Sequence, residues 1–177
     1  MNSPFMTYFH TELATRGFLS IKFNFEYMEA KRRVPDAQPK LQARYRSVID
    51  EIAAQYRPKR LIIGGKSMGG RVASYIAADI PEVSAVVFLG YPLHPPGKPD
   101  QLRDQHLYGM KIPMLFISGT KDTFAGQELL ERVVHNIGND ATLLWIESGD
   151  HSLKRRRGDV EALAIGVDAI VSWASGD

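Results

Sequence analysis

The chain carries 177 residues, 22 Lys+Arg against 20 Asp+Glu, a formal charge of +2 and no cysteine. That length suits a single domain over residues 1–177 with a core that needs no covalent staples, and the cysteine count excludes disulfides, thiolate nucleophiles and cysteine-held zinc. So small a charge gives no argument for nucleic acid, no apolar run reaches the roughly 18 residues of a membrane span, and Met1 to Gly17 lacks a basic-then-apolar leader, so a soluble, cytoplasmic protein is the expectation.

In chain order, Ser3 is placed to cap a helix with Pro4 at its first position, Phe5, Phe9 and Leu13 follow on one face, and Gly17 closes it. Leu19, Ile21, Phe23 and Phe25 alternate, which predicts a strand over Phe18–Phe25. After a polar loop, Leu41, Tyr45, Val48, Ile49, Ile52 and Tyr56 mark a long helix stopped by Pro58. Leu61 to Ile63 reads as a short buried strand running into Gly64 and Gly65, and a small-residue helix follows Ser67. Val83 to Leu89 is the next strand. Tyr91 to Lys111 is irregular, punctuated by Pro92, Pro95, Pro96 and Pro99. Ile112 to Ser118 is a strand, a helix carrying Leu129 to Ile137 ends at Gly138, Thr142 to Ile146 is the last strand, and a closing helix carries Val160 to Val171. Strands alternating with helices imply an α/β fold, a mostly parallel sheet covered on both faces, and a run such as Val86-Val87-Phe88-Leu89 suits burial on both sides.

Gly65-Lys66-Ser67-Met68-Gly69 matches G-x-S-x-G at a strand-to-helix junction. A serine on so tight a turn takes a strained backbone, and its neighbours two positions away, Gly65 and Gly69, must be small; Gly70 lets the helix approach the sheet. A phosphate-binding P-loop would need glycine at position 60, where Arg60 stands, and a loop where Leu61 to Ile63 forms a strand, so that reading fails.

An isolated hydroxyl is a poor nucleophile and needs a base and an orienting acid. Of five histidines, His10 and His135 fall on helices, and His94 and His106 lie in the Pro-rich loop without an obvious orienting partner. His151 follows the last strand, at the sheet end where open parallel sheets assemble their sites. Asp122 follows the preceding strand at the same end. Asp150 adjoins His151 and would have to bend back onto its neighbour's ring, and Asp104 sits in the irregular loop. The order Ser67, Asp122, His151 is that of the α/β-hydrolase triad. The N–H of Met68 is the expected oxyanion donor, and Asn24, Tyr91 and His94 are candidates to line a substrate pocket. The basic run Lys154 to Arg157 reads as a solvated face, and Arg32, Arg60 and Arg156 lack the aromatic interleaving of a nucleic-acid surface.

Asn2-Ser3-Pro4-Phe5-Met6, Phe23 to Glu29, the turn Gly64 to Arg71, Gly90 to Gly97 and Gly149 to Leu153 together resemble a bacterial α/β-hydrolase-like family of the KANL/Tex-type group, close to the dienelactone-hydrolase-like serine hydrolases. The resemblance covers nearly the whole chain. It implies the α/β-hydrolase fold and carries nucleophile, acid and base onto Ser67, Asp122 and His151. In that family the Asn-Ser-Pro-Phe-Met stretch follows an apolar strand and a His-Gly-Ala-Gly-type loop, whereas here Met1 stands where that loop ends. The resemblance therefore implies an N-terminally truncated sheet lacking a strand between Phe18–Phe25 and Leu61–Ile63, and one oxyanion donor fewer. Either Phe18–Phe25 pairs directly beside Leu61–Ile63, or stability and activity fall. The expected activity is a serine hydrolase acting on a small ester, thioester or related acyl compound, with no metal or organic cofactor, no nucleic-acid or membrane partner, and an oligomeric state left open. The alternative is a catalytically silent hydrolase-like binding or assembly module.

Overall fold

The computed structural model describes residues 3–176. Four strands, β1 (Leu61–Lys66), β2 (Val83–Leu89), β3 (Met114–Gly119) and β4 (Ala141–Ile146), form one sheet in the order β1-β2-β3-β4. Every pairing is parallel, with Ile63 opposite Val86, Phe88 opposite Phe116 and Ile117 opposite Leu144.

Six helices flank the sheet: α1 (Pro4–Thr15), α2 (Glu26–Glu29), α3 (Gln38–Tyr56), α4 (Met68–Ser74), α5 (Gln127–Ile137) and α6 (Val160–Ser175). Their ends are set by local chemistry. Ser3 Oγ accepts from the Met6 N–H at 3.5 Å and Pro4 opens α1, while the buried Asp159 carboxylate accepts from the Ala162 N–H at 3.2 Å and opens α6.

Side chains alternate across the sheet between two cores. Val86, Phe88, Met114 and Phe116 pack with Leu41, Ile49, Val72 and Leu130 of α3, α4 and α5. Val87, Leu89, Leu115 and Ile117 pack with Phe5, Phe9, Leu163 and Val167 of α1 and α6. With both faces covered, β2 and β3 have no polar side to show, which is why they read as continuous apolar runs. Each such side chain contributes about 1.5–3 kcal/mol by leaving water.

One expected element does not form. Residues 18–25 form neither helix nor strand and belong to no sheet, and β1 pairs with β2 alone. Of the alternating apolar residues, Phe25 is buried and Phe23 packs edge-on against Tyr45 at 4.9 Å, whereas Leu19 and Ile21 are 61% and 41% exposed, so only the second half of the run turns inward. A ladder needs another backbone within hydrogen-bonding reach, and residues 18–25 make no such pairing with β1; Leu19, Ile21, Ile62 and Gly64 instead line cavities shared by the two segments. Direct pairing of Phe18–Phe25 with Leu61–Ile63 is thus not the solution adopted. Residues 91–111 are irregular as read, apart from a 3₁₀ turn at Gln105–Gly109.

Candidate active site

Ser67 sits between the last residue of β1 and the first of α4 with φ 52° and ψ −120°, a left-handed conformation costly for any residue with a Cβ, by about 1–3 kcal/mol. Its N–H donates to Leu89 O at 3.0 Å, tying the turn to the end of β2. The glycines around it divide unequally. A Cβ on Gly65 would lie 3.0 Å from the backbone of Gly69 and Gly70, and one on Gly70 would lie 2.7 Å from Gly65 O. A Cβ on Gly69 would meet nothing within 4 Å. The crowding expected at Gly69 therefore falls on Gly70, because the turn closes between Gly65 and the first turn of α4.

The histidine arrives on the loop after β4. Its backbone is held by Lys121 N–H donating to Gly149 O at 2.8 Å and Ser148 N–H donating to Thr120 Oγ1 at 2.7 Å. The loops after β3 and β4 touch so closely at Gly119 that a Cβ there would fall within 2.6 Å of Asp150 O. Gly90, at φ 65°, clears the other side, since its Cβ would lie 2.8 Å from His151 O. Sequence reasoning gave neither glycine a role; their position, Gly119 as the last residue of β3 and Gly90 directly after β2, is the signal that marks them as sites of close approach.

Three side chains then join in one hydrogen-bonded chain. His151 Nε2 stands 2.8 Å from Ser67 Oγ, and His151 Nδ1 stands 2.8 Å from Asp122 Oδ2. An ionised carboxylate only accepts, so Nδ1 carries the ring proton and Nε2 faces Ser67 as an acceptor. Asp122 is 4% exposed, and its Oδ1 accepts from the Phe124 N–H at 2.8 Å, which fixes the carboxylate plane. The Phe124 ring lies 4.5 Å from the imidazole. Asp150 turns away into its own loop, where Oδ1 accepts from the N–H groups of Ser152 and Lys154 at 2.7 and 3.1 Å.

A cavity of about 400 Å³ is lined in part by Asn24, Lys66, Ser67 and Met68. Lys66 is half-buried; its Nζ donates to Ser152 Oγ at 2.8 Å and lies 5.0 Å from the Phe5 ring centre, and burial holds its pKa below the ordinary lysine value. Tyr91 and His94 do not line this cavity. Tyr91 is buried with its hydroxyl donating to Arg103 O at 2.9 Å, and burial raises its pKa. His94 is buried with Nδ1 donating to Pro95 O at 2.9 Å. His106 stacks on Tyr75 at 4.2 Å and meets Ser74 Oγ at 2.8 Å; burial and then Arg71 bring its pKa down to about 4, so the ring is neutral at pH 7. Among the described residues no group of His, Asp and Glu is arranged to hold a metal ion, and no helix is long and apolar enough to cross a membrane.

A family model described as an alpha/beta hydrolase domain matches residues 1–172. Among solved structures, the chain is similar to the esterase domain of a Rhodothermus marinus protein, with 20% identity, TM-score 0.73, and 98% of this chain and 80% of that one covered. An alpha-beta serine hydrolase homologue from Coxiella burnetii gives 17% identity, TM-score 0.76 and coverages of 97% and 76%. A serine hydrolase without a lid from Xanthomonas campestris gives 20%, 0.72, 98% and 75%. At these identities the likeness is one of fold.

Proposed function

The chain belongs to the alpha/beta hydrolase family and is a hydrolase, and on that premise we propose that it is a serine hydrolase of small esters, thioesters or related acyl compounds, working through an acyl-enzyme. The observation that carries the reading is the chain Ser67–His151–Asp122, with both links at 2.8 Å. Substrate binds in the cavity that Asn24, Ser67 and Met68 help to line.

As Ser67 Oγ attacks the acyl carbon, His151 Nε2 takes its proton, and the imidazolium is stabilised by the Asp122 carboxylate on Nδ1. The carbonyl oxygen becomes an oxyanion, and the N–H of Met68, at the head of α4, donates to it. Collapse of the tetrahedral species expels the alcohol or thiol, which takes the proton back from Nε2. Water then repeats the sequence on the acyl-enzyme, with Nε2 as its base, and the acid departs. The strained Ser67 backbone serves this chemistry by lifting Oγ off the sheet toward the imidazole. The motifs at Phe23 to Glu29, Gly64 to Arg71 and Gly90 to Gly97 support an affinity with the KANL/Tex-type, dienelactone-hydrolase-like members of the family.

A fluorophosphonate probe tests the reading. Wild type labels, and Ser67→Ala and His151→Ala do not; labelling that survives Ser67→Ala overturns the assignment of the nucleophile.

A further inference from the structure

Behind the nucleophile, α4 meets the irregular segment 91–111 through a group of polar side chains that the triad does not use. Arg71 N–H donates to Ser67 O at 3.1 Å, so Arg71 stands one helical turn after the serine. Its guanidinium carbon lies 5.8 Å from the Tyr75 ring centre, and Tyr75 stacks on His106 at 4.2 Å. His106 Nε2 meets Ser74 Oγ at 2.8 Å and Tyr91 Oη at 3.4 Å. Both hydroxyls already donate to carbonyls, Ser74 to Arg71 O at 2.7 Å and Tyr91 to Arg103 O at 2.9 Å. Nε2 is therefore the donor, and His106 is a fixed neutral ring that ties the backbone of Arg71 to that of Arg103.

This network brings two positive charges together with nothing to neutralise them. Burial, and then the charge of Arg71, hold the Arg103 pKa below the ordinary arginine value. Among the described residues neither guanidinium forms an ion pair with a carboxylate. Asp104, next to Arg103 in the chain, is buried and turned elsewhere: Oδ2 accepts from Tyr108 Oη at 2.6 Å, and Oδ1 meets no donor. A guanidinium carries five N–H donors. Those of Arg71 are nearly unused, since Nη1 reaches only Tyr75 Oη at 3.5 Å and the buried Nε has no acceptor. Both arginines are half-buried, so water screens their repulsion only in part.

We infer that Arg71 and Arg103 form a binding site for a compact oxyanion, the phosphate or carboxylate group of a small molecule. Such a group offers the acceptors that the cluster lacks and matches the planar fork of a guanidinium with two parallel hydrogen bonds. Tyr75 Oη accepts from Arg71, which leaves its own proton as a further donor to the ligand. Arg71, Tyr75, Arg103 and His106 are all absent from the lining of the 400 Å³ cavity, so this site is separate from the one assigned to the acyl substrate. The inference goes beyond the hydrolase reading and does not depend on it.

The test follows the arginine Nε–H resonances of the full chain near neutral pH, while inorganic phosphate or acetate replaces chloride at constant ionic strength. The signals of Arg71 and Arg103 shift together and saturate, and that of Arg156, in the exposed basic run, does not. Tighter binding of phosphate assigns a phosphate group to the ligand, and tighter binding of acetate assigns a carboxylate. Arg103→Gln and Arg71→Gln each weaken the ion at least about tenfold, the loss expected of a charge-assisted pair. Arg156→Gln leaves the affinity unchanged. Shifts that never saturate, shifts shared equally by Arg156, or undiminished affinity in Arg103→Gln overturn the inference. Should Arg71→Gln fail to fold, Arg103→Gln decides alone, because its guanidinium forms no ion pair within the chain whose loss would unfold it. No readout involves activity, so an inactive Ser67 site leaves the test intact.

Discussion

Replacing Asp122 with asparagine changes one atom's chemistry and leaves the shape of the site, and the surroundings dictate which way the new amide must face. Oδ1 of Asp122 accepts from the Phe124 N–H at 2.8 Å, and Oδ2 accepts from His151 Nδ1 at 2.8 Å. An asparagine with its –NH₂ toward Phe124 would set donor against donor in a buried position, at a cost of about 1–3 kcal/mol. The amide oxygen therefore goes to Phe124 and the –NH₂ to Nδ1. Nδ1 must then accept, the ring proton moves to Nε2, and Nε2 faces Ser67 Oγ as a donor that cannot take the serine proton. The wrong tautomer in an otherwise intact serine site costs about 10⁴ in turnover, which corresponds to about 5.4 kcal/mol of barrier. The assay is kcat/KM on p-nitrophenyl acetate against wild type, with Tm measured alongside. Asp122→Asn is expected to keep its fold and lose about four decades of activity, partly recovered at high pH, where deprotonation of a competing water or of the serine itself relieves the need for the base. Activity within tenfold of wild type at neutral pH would refute the tautomer argument and the role given to Asp122.

Gly70→Ala drives a methyl to 2.7 Å from Gly65 O and 3.2 Å from the Phe88 ring, and is expected to cost about 1–3 kcal/mol in thermal or urea unfolding. Gly69→Ala meets open space inside a helix and should be neutral or stabilising by up to about 1 kcal/mol; the opposite ranking would show that the turn closes elsewhere. His106, held at about 4 in the folded chain against its ordinary 6.5, binds more protons unfolded than folded between those values. Its contribution to stability is therefore complete above about pH 6.5 and is lost as pH falls toward 4. Unfolding titrations of His106→Gln should show a flatter slope in that window, and an unchanged slope would remove His106 from the account. Asp159, depressed by the Arg155 guanidinium and the α6 N–H it caps, acts lower on the scale: its contribution is present above the ordinary aspartate range and fades below it, so Asp159→Asn should blunt acid unfolding below about pH 4.

Local chemistry carried much of this protein in its sequence. Ser3-Pro4 opens a helix because a hydroxyl acceptor and a missing N–H suit that position wherever it occurs, and β2 reads from Val86-Val87-Phe88-Leu89 because burial on two faces leaves no polar residue. The turn at Ser67 is equally local: Gly65, Ser67 and Gly70 lie within six residues, and their steric conflict is settled within the turn. Placing His151 and Asp122 needed only the topology, since successive parallel strands deliver their following loops to one end of the sheet. What the alternation of Leu19, Ile21, Phe23 and Phe25 did not contain was a partner. Side-chain period describes which residues share a face, whereas a ladder depends on another backbone at hydrogen-bonding distance, and β1 pairs with β2 alone. The tertiary structure also decided that Tyr91 and His94 turn into the protein while Asn24 reaches the cavity, because direction within an irregular loop is set by contacts such as Arg103 O and Pro95 O that no spacing encodes. Asp150, set aside in the sequence because it adjoins His151, has its carboxylate taken up by its own turn. Sequence determined the elements and the end of the sheet where chemistry gathers, both being short-range or topological; distances between segments far apart in the chain depend on packing, and only the folded molecule supplied them.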